Sequence, residues 1–307
     1  MIKPVSGKCN AACKYCFYRD EVESRAIADY GFFTQELASI FIKKALTYVD
    51  GGHLTLVFQG GEPTLIGLDF YKYFFETLKT QNFKGATFTI SMQTNGILID
   101  ERWCNLFKEY NVLVGLSLDG DKISNSERID RSGRDIYARI LDTARMLKEH
   151  RVEFNILSVI HAKNVKRGTI IYDDFSKRGF KNLQFIPYLG ENPDYVLNAE
   201  DYAKFLIDTY SRYAHDFNSA TPTRIRQFDN YIMLLQSGCA EQCGMNGRCE
   251  EQLIIEADGR AYPCDFYCID EYEIGSIQDL TIEELLNSNI SKTFRATSNH
   301  LEKCRTC

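Results

Sequence analysis

Three cysteines inside eight residues, Cys9, Cys13 and Cys16, constrain this chain more than any other feature. They share a short loop after the apolar segment Ile2 to Val5, and the next cysteine, Cys104, falls in a segment of helical period and reads as core. Structural zinc wants four closed ligands, so this loop makes a poor zinc site. A [4Fe-4S] cubane normally takes four thiolates, and a loop that offers three leaves one iron open to a small molecule. The chain has 11 cysteines, an odd number gathered toward its two ends. Disulfides suit small secreted domains that lack a core, whereas 307 residues with 44% hydrophobic content can bury a substantial one. Iron–sulfur binding is therefore the expectation.

Composition narrows the partners. A net charge of -6 with no block of Lys and Arg argues against nucleic acid. No basic segment followed by a long apolar run opens the sequence, and apolar runs such as Tyr231 to Leu235 are too short to span a bilayer, so no membrane is expected and a cytoplasmic location is.

From residue 1 to about 218, β-branched or aromatic runs alternate with amphipathic segments, the pattern of βα units on a parallel sheet. Strands are expected at Ile2 to Val5, His53 to Phe58, Thr87 to Met92, Val112 to Leu118, Glu153 to Ile160 and Leu183 to Tyr188. Helices are expected near Thr34 to Val49, Leu68 to Thr80, Asp100 to Tyr110, Asp135 to His150, Gly168 to Arg178 and Ala199 to Phe217. About six repeats are too few for an eight-fold barrel, so the expected fold is α/β, a partial (β/α)6 barrel over 1–218. A linking helix fills 219–238, and a small cysteine-rich domain with a β-hairpin around Asp258-Gly259 occupies 239–307.

Other loops belong at the barrel mouth. Gln59-Gly60-Gly61-Glu62-Pro63-Thr64 follows a strand; its glycines permit close backbone approach and Glu62 can accept a bond from an amine. Gly-Gly and Pro by themselves mark only a turn. Ser117-Leu118-Asp119-Gly120 closes another strand, with Asn125 and Arg128 beyond it, and Asp119 could equally cap the next turn.

Together these motifs resemble the radical S-adenosylmethionine (SAM) superfamily, in the spacing C-x3-C-x2-C followed by an aromatic residue and in the GGEP segment. A sharper resemblance, along nearly the whole chain, is to the anaerobic sulfatase-maturating enzymes, a branch with a C-terminal SPASM-type domain. It rests on Cys16-Phe17-Tyr18, Phe58 to Thr64, Gln93-Thr94-Asn95-Gly96, Val114 to Ser117, Val152 to Leu157, Cys243 to Gly247 and Tyr262 to Tyr267. The resemblance implies SAM chelated at the open iron, with Gly60, Gly61 and Glu62 near its amine and Ser117 and Arg128 at its carboxylate or ribose. It implies oxidation of a cysteine or serine in a C-x-P-x-R type sulfatase motif to formylglycine, with Asp265 as general base and Tyr18, Gln59 and Leu189 contacting the peptide. An aspartate beside a ligand is as readily a turn cap, and Tyr18 and Leu189 as readily packing. Up to two auxiliary [4Fe-4S] clusters would draw on Cys243, Cys249 and Cys264, and on Cys304 and Cys307; a flavodoxin or ferredoxin would supply electrons and a sulfatase polypeptide would be the substrate.

The pattern breaks off at Cys307, short of ligands for both auxiliary clusters, and the lead before Ile2 is short, so the expectation is a C-terminally truncated chain with some N-terminal sequence absent as well. Cys239 and Cys268 could replace a ligand but read better as free or partly buried thiols. Competing readings are a SPASM-type maturase that crosslinks a ribosomal peptide, disfavoured by the lack of a leader-binding extension, and a non-catalytic iron–sulfur protein, disfavoured by the open iron.

Overall fold

The β-branched runs become parallel strands in the computed structural model, which describes residues 1–296. These are β1 (His53–Phe58), β2 (Thr87–Thr94), β3 (Val112–Ser117), β4 (Phe154–Ile160), β5 (Asn182–Pro187) and β6 (Arg224–Ile225), paired in chain order in one six-stranded sheet. Parallel neighbours require crossovers, and helices supply them: α3 (Leu68–Gln81), α4 (Glu101–Glu109), α5 (Tyr137–Glu149), α6 (Gly168–Lys177) and α7 (Ala199–Asp216). Before β1 come α1 (Phe17–Glu23) and α2 (Gln35–Val49); after β6 comes α8 (Arg226–Ser237). Thr34, Asp100 and Asn198 cap α2, α4 and α7 by accepting backbone N–H bonds.

Period two along the strands separates two faces. Ile90, Met92, Val114, Leu116, Ile156 and Phe185 are buried in the main core, which also takes Phe70, Tyr71, Phe74, Phe75 and Leu78 from one stripe of α3. Fully burying each such side chain contributes about 1.5–3 kcal/mol. On the opposite face the register aligns Val57 with Ser91 and Leu113, and Gln93 with Gly115 and Asn155. This half-buried, partly polar face continues upward to Gln59 and Ser117 at the strand ends, which is where the site lies.

Ile2 to Val5 is not a strand. Ile2 forms single bridges, to Phe58 on one side and Ile255 on the other, and Pro4 has no N–H to extend a ladder. The sixth strand is β6 instead, within the stretch expected to be helix alone. Beyond α8, β7 (Ile254–Ile255) and β8 (Arg260–Tyr262) pair antiparallel around Asp258-Gly259, as the sequence led us to expect, with Gly259 at φ +94°. A third strand, β9 (Gly275–Ser276), completes this sheet, and α9 (Ile282–Leu286) and α10 (Asn289–Ala296) follow. Cys304 and Cys307 lie outside the described residues.

Candidate active site and cluster-binding loops

The cysteine loop rests directly on the GGEP segment. The Gly61 and Glu62 N–H groups donate to the Ser6 and Lys8 carbonyls at 2.8 and 2.7 Å, and a Cβ on Gly61 would sit 2.0 Å from the Lys8 oxygen. The close approach that these glycines permit is thus to the cysteine loop itself. Glu62 is 1% exposed, and its carboxylate accepts from Thr64 N–H and Oγ1, Thr94 Oγ1 and the Asn95 N–H. Burial raises its pKa against those bonds. Every bond the structure gives this carboxylate is internal, so Glu62 clasps its own loop to the end of β2.

Cys9, Cys13 and Cys16 are half-buried and near enough to act on one another electrostatically. Cys9 Sγ accepts from the Ala11 N–H at 3.3 Å, and the exposed Arg131 donates to the Cys9 carbonyl at 2.7 Å. Burial, with Glu62 adding, pushes the Cys9 thiol up to about 12. Burial pushes Cys13 to about 11 against the pull of Arg128, and it raises Cys16. Thiols of this kind ionise on taking a metal.

Beside them Arg128 forks onto Asp119 with two bonds of 2.9 Å, and its guanidinium covers the Tyr15 ring. Asp119, at 0% exposure, also accepts from the Tyr15 hydroxyl and the Val159 N–H. Asp119 is therefore the hub that fixes Tyr15, Arg128 and the end of β4, not a turn cap. Ser117, the last residue of β3, lies two residues before it on the same face. Sequence reasoning assigned no role to Tyr15; its place between Cys13 and Cys16 was the available signal.

Three of the residues implied for substrate chemistry converge. Asp265 Oδ2 accepts from the Tyr18 hydroxyl at 2.8 Å and from Gln59 Nε2 at 2.9 Å, and Gln59 also donates to Tyr18 at 2.7 Å. Tyr18 comes from α1, Gln59 from the end of β1 and Asp265 from the turn after β8, so this cluster joins the barrel to the small domain. Leu189, on the loop after β5, is 70% exposed and takes no part in that buried group.

Burial pushes Cys264 to about 11, and Cys243 and Cys249 lie close enough to add to the rise. Cys239, Cys243 and Cys249 are exposed. Cys268 is wholly buried with its thiol on the Cys264 carbonyl, deeper than the free or partly buried thiol expected, and Cys104 is core. Among the described residues no three His, Cys, Asp or Glu side chains converge on a single ion. The donor set, three half-buried thiols on one loop beside a guanidinium, fits a [4Fe-4S] cluster.

The comparisons with known proteins agree. Residues 4–167 match the radical SAM superfamily, and residues 243–307 match an iron–sulfur cluster-binding domain. A cysteine-type anaerobic sulfatase-maturating enzyme of Clostridium novyi is 40% identical over 100% of this chain and 84% of its own length. The chain belongs to the anaerobic sulfatase-maturating enzymes. A serine-type member from Klebsiella aerogenes is 30% identical, over 100% of this chain and 76% of its own. The solved structure of native anSMEcpe with bound AdoMet and Cp18Cys peptide superposes with a TM-score of 0.93 at 37% identity, covering 100% of this chain and 84% of that one. The chain is thus a radical SAM oxidoreductase of the sulfatase-maturating type, with iron–sulfur clusters and SAM as its cofactors. No helix among the described residues is long and apolar enough to cross a membrane.

Proposed function

We propose that this sulfatase-maturating enzyme oxidises a cysteine, and secondarily a serine, in a C-x-P-x-R type motif of a sulfatase to formylglycine, with Asp265 as the base. The observation that carries this reading is the Tyr18, Gln59 and Asp265 cluster at the seam between the two domains. The higher identity to the cysteine-type relative supports cysteine as the first substrate.

When bound, the cofactors supply a 5′-deoxyadenosyl radical that removes a hydrogen atom from the substrate β-carbon, and an auxiliary cluster that accepts the remaining electron. Cys9, Cys13 and Cys16 would hold the first cluster; Cys243, Cys249 and Cys264 would hold the auxiliary one, which places Asp265 directly beside a ligand. Gly60, Gly61, Glu62, Ser117 and Arg128 would bind SAM. Glu62 Oε2 carries a single bond, from the Asn95 N–H, so it keeps room to accept one from the SAM amine. Arg128 keeps Nη1 free while its other nitrogens hold Asp119. Asp265 takes the proton of the substrate thiol or hydroxyl on Oδ2, while Tyr18 and Gln59 hold that oxygen in place and Gln59 reaches the peptide backbone. A reduced flavodoxin or ferredoxin would serve as donor.

The test is an anaerobic assay of iron-reconstituted, reduced protein with SAM and a C-x-P-x-R peptide, following 5′-deoxyadenosine and peptide mass together. Asp265→Asn should lower formylglycine formation on the order of 10²–10⁴-fold, the usual span of a general base. Wild-type turnover in that variant would remove Asp265 from the role.

A further inference from the structure

A lysine that neither the sequence motifs nor the chemistry above employs stands behind Asp265. Lys3 is 1% exposed, and its ammonium lies 3.1 Å from Asp265 Oδ1, 3.0 Å from Glu21 and 3.7 Å from Glu256. Arg25, bonded at 2.7 Å to Glu256 and lying 3.4 Å from Glu21, is the second cation of the group. Two cations, from the N-terminal segment and just past α1, thus face three carboxylates, one from α1 and two from the small domain.

The two oxygens of Asp265 are held in different ways. Oδ2 has aligned donors in Tyr18 and Gln59, whereas Oδ1 is buried without an aligned hydrogen-bond donor and has only the Lys3 ammonium against it. The same ammonium bonds both oxygens of Glu21, reaches the Asp265 carbonyl at 3.4 Å and lies over the Tyr18 ring at 4.8 Å. Lys3 therefore touches both the base and one of the groups that aligns it. Burial pulls its pKa down, and Asp265, Cys268, Glu21 and Glu256 together more than reverse this, so the ammonium stays charged.

We propose that Lys3 is a positioning residue for the reaction: its ammonium anchors Asp265 Oδ1 from behind, so that Oδ2 keeps its alignment with Tyr18 and Gln59 toward the barrel interior. This inference rests on Asp265 being the base. A carboxylate bonded on one edge only would swing about its Cα–Cβ and Cβ–Cγ bonds, and misplacement of a reacting group by 1 Å can cost about a hundredfold in rate. Glu21 and Glu256 hold the ammonium in turn, which makes the docking of the small domain and the aim of the base a single event.

Removing Lys3 alone leaves three buried carboxylates with one guanidinium, so Lys3→Met is paired with Lys3→Met/Glu21→Gln, which restores the charge balance without restoring the contact to Oδ1. The assay is the one above on the iron-reconstituted chain, read as formylglycine formed per 5′-deoxyadenosine and as peptide KM. Both variants should lower that ratio at least about tenfold with KM within about twofold, and Lys3→Arg should recover most of it. A double variant with the wild-type ratio would reduce Lys3 to charge balance and overturn the proposal. So would product and 5′-deoxyadenosine falling together at a constant ratio. Asp265→Asn, run in parallel, separates the two readings: if it keeps the wild-type ratio the base assignment itself falls, whereas its failure beside unaffected Lys3 variants overturns the Lys3 inference alone.

Discussion

The two cysteine-bearing regions are built on opposite principles. The loop of Cys9, Cys13 and Cys16 is gripped on every side: backbone bonds to Gly61 and Glu62, Arg131 on the Cys9 carbonyl, and the Arg128–Asp119–Tyr15 group beneath. The loop carrying Cys243 and Cys249 is exposed and held chiefly by Asn246, which bonds the Ala240 backbone in both directions at 2.7 Å, and by Asn230. The barrel holds its cysteine loop with buried bonds of its own, whereas the described part of the auxiliary loop is exposed and held by fewer of them.

The contrast can be broken most directly at the ligands. Cys13→Ser should lower SAM cleavage by roughly three orders of magnitude or more, as loss of an essential group does. Cys243→Ser should leave 5′-deoxyadenosine formation within about tenfold while formylglycine falls further, because it removes only the later electron acceptor. Equal losses in both variants, measured by chromatography of the two products, would show that the regions are not functionally separable.

Charge pairs sharpen the same difference. Arg128→Leu strands Asp119 at 0% exposure and should cost about 3–5 kcal/mol in urea unfolding of the reconstituted protein. Arg248→Ala, whose partner is Glu250 at 3.7 Å on the exposed loop, should cost under about 1 kcal/mol. The glycines carry the same contrast between the two loops. Gly61→Ala drives a Cβ against the Lys8 carbonyl and should cost about 1–3 kcal/mol with loss of cluster content, measured as iron per chain. At Gly244, where a Cβ meets nothing within 4 Å and only the φ of +83° resists, Ala should cost about 1 kcal/mol.

Much of the barrel was legible because its signals are local. His53 to Phe58 is a short run ending in Leu56, Val57 and Phe58, and the helix after Thr34 carries both a cap and a period. Arg224–Ile225 was not legible as a strand, since two residues carry no period, and α1 is short and charged, DEVE following its aromatics. The cysteine loop announced itself through spacing. Asp119 and Lys3 did not, because their meaning lies in partners 104 and 262 positions away along the chain. The donors that fix Glu62, on Thr64, Thr94 and Asn95, were likewise hidden, because a sequence shows a carboxylate but not what surrounds it.

Ile2 is bridged to Phe58 in the barrel and to Ile255 in the small sheet, so a segment made early is completed only by residues made much later. At about 5–20 residues per second, some tens of seconds of synthesis separate the two partners. Throughout that interval Ile2 lacks its second bridge, and the ammonium at position 3 lacks its carboxylates beyond residue 250. The seam between barrel and small sheet is thus sealed only once the residues beyond 250 have been made.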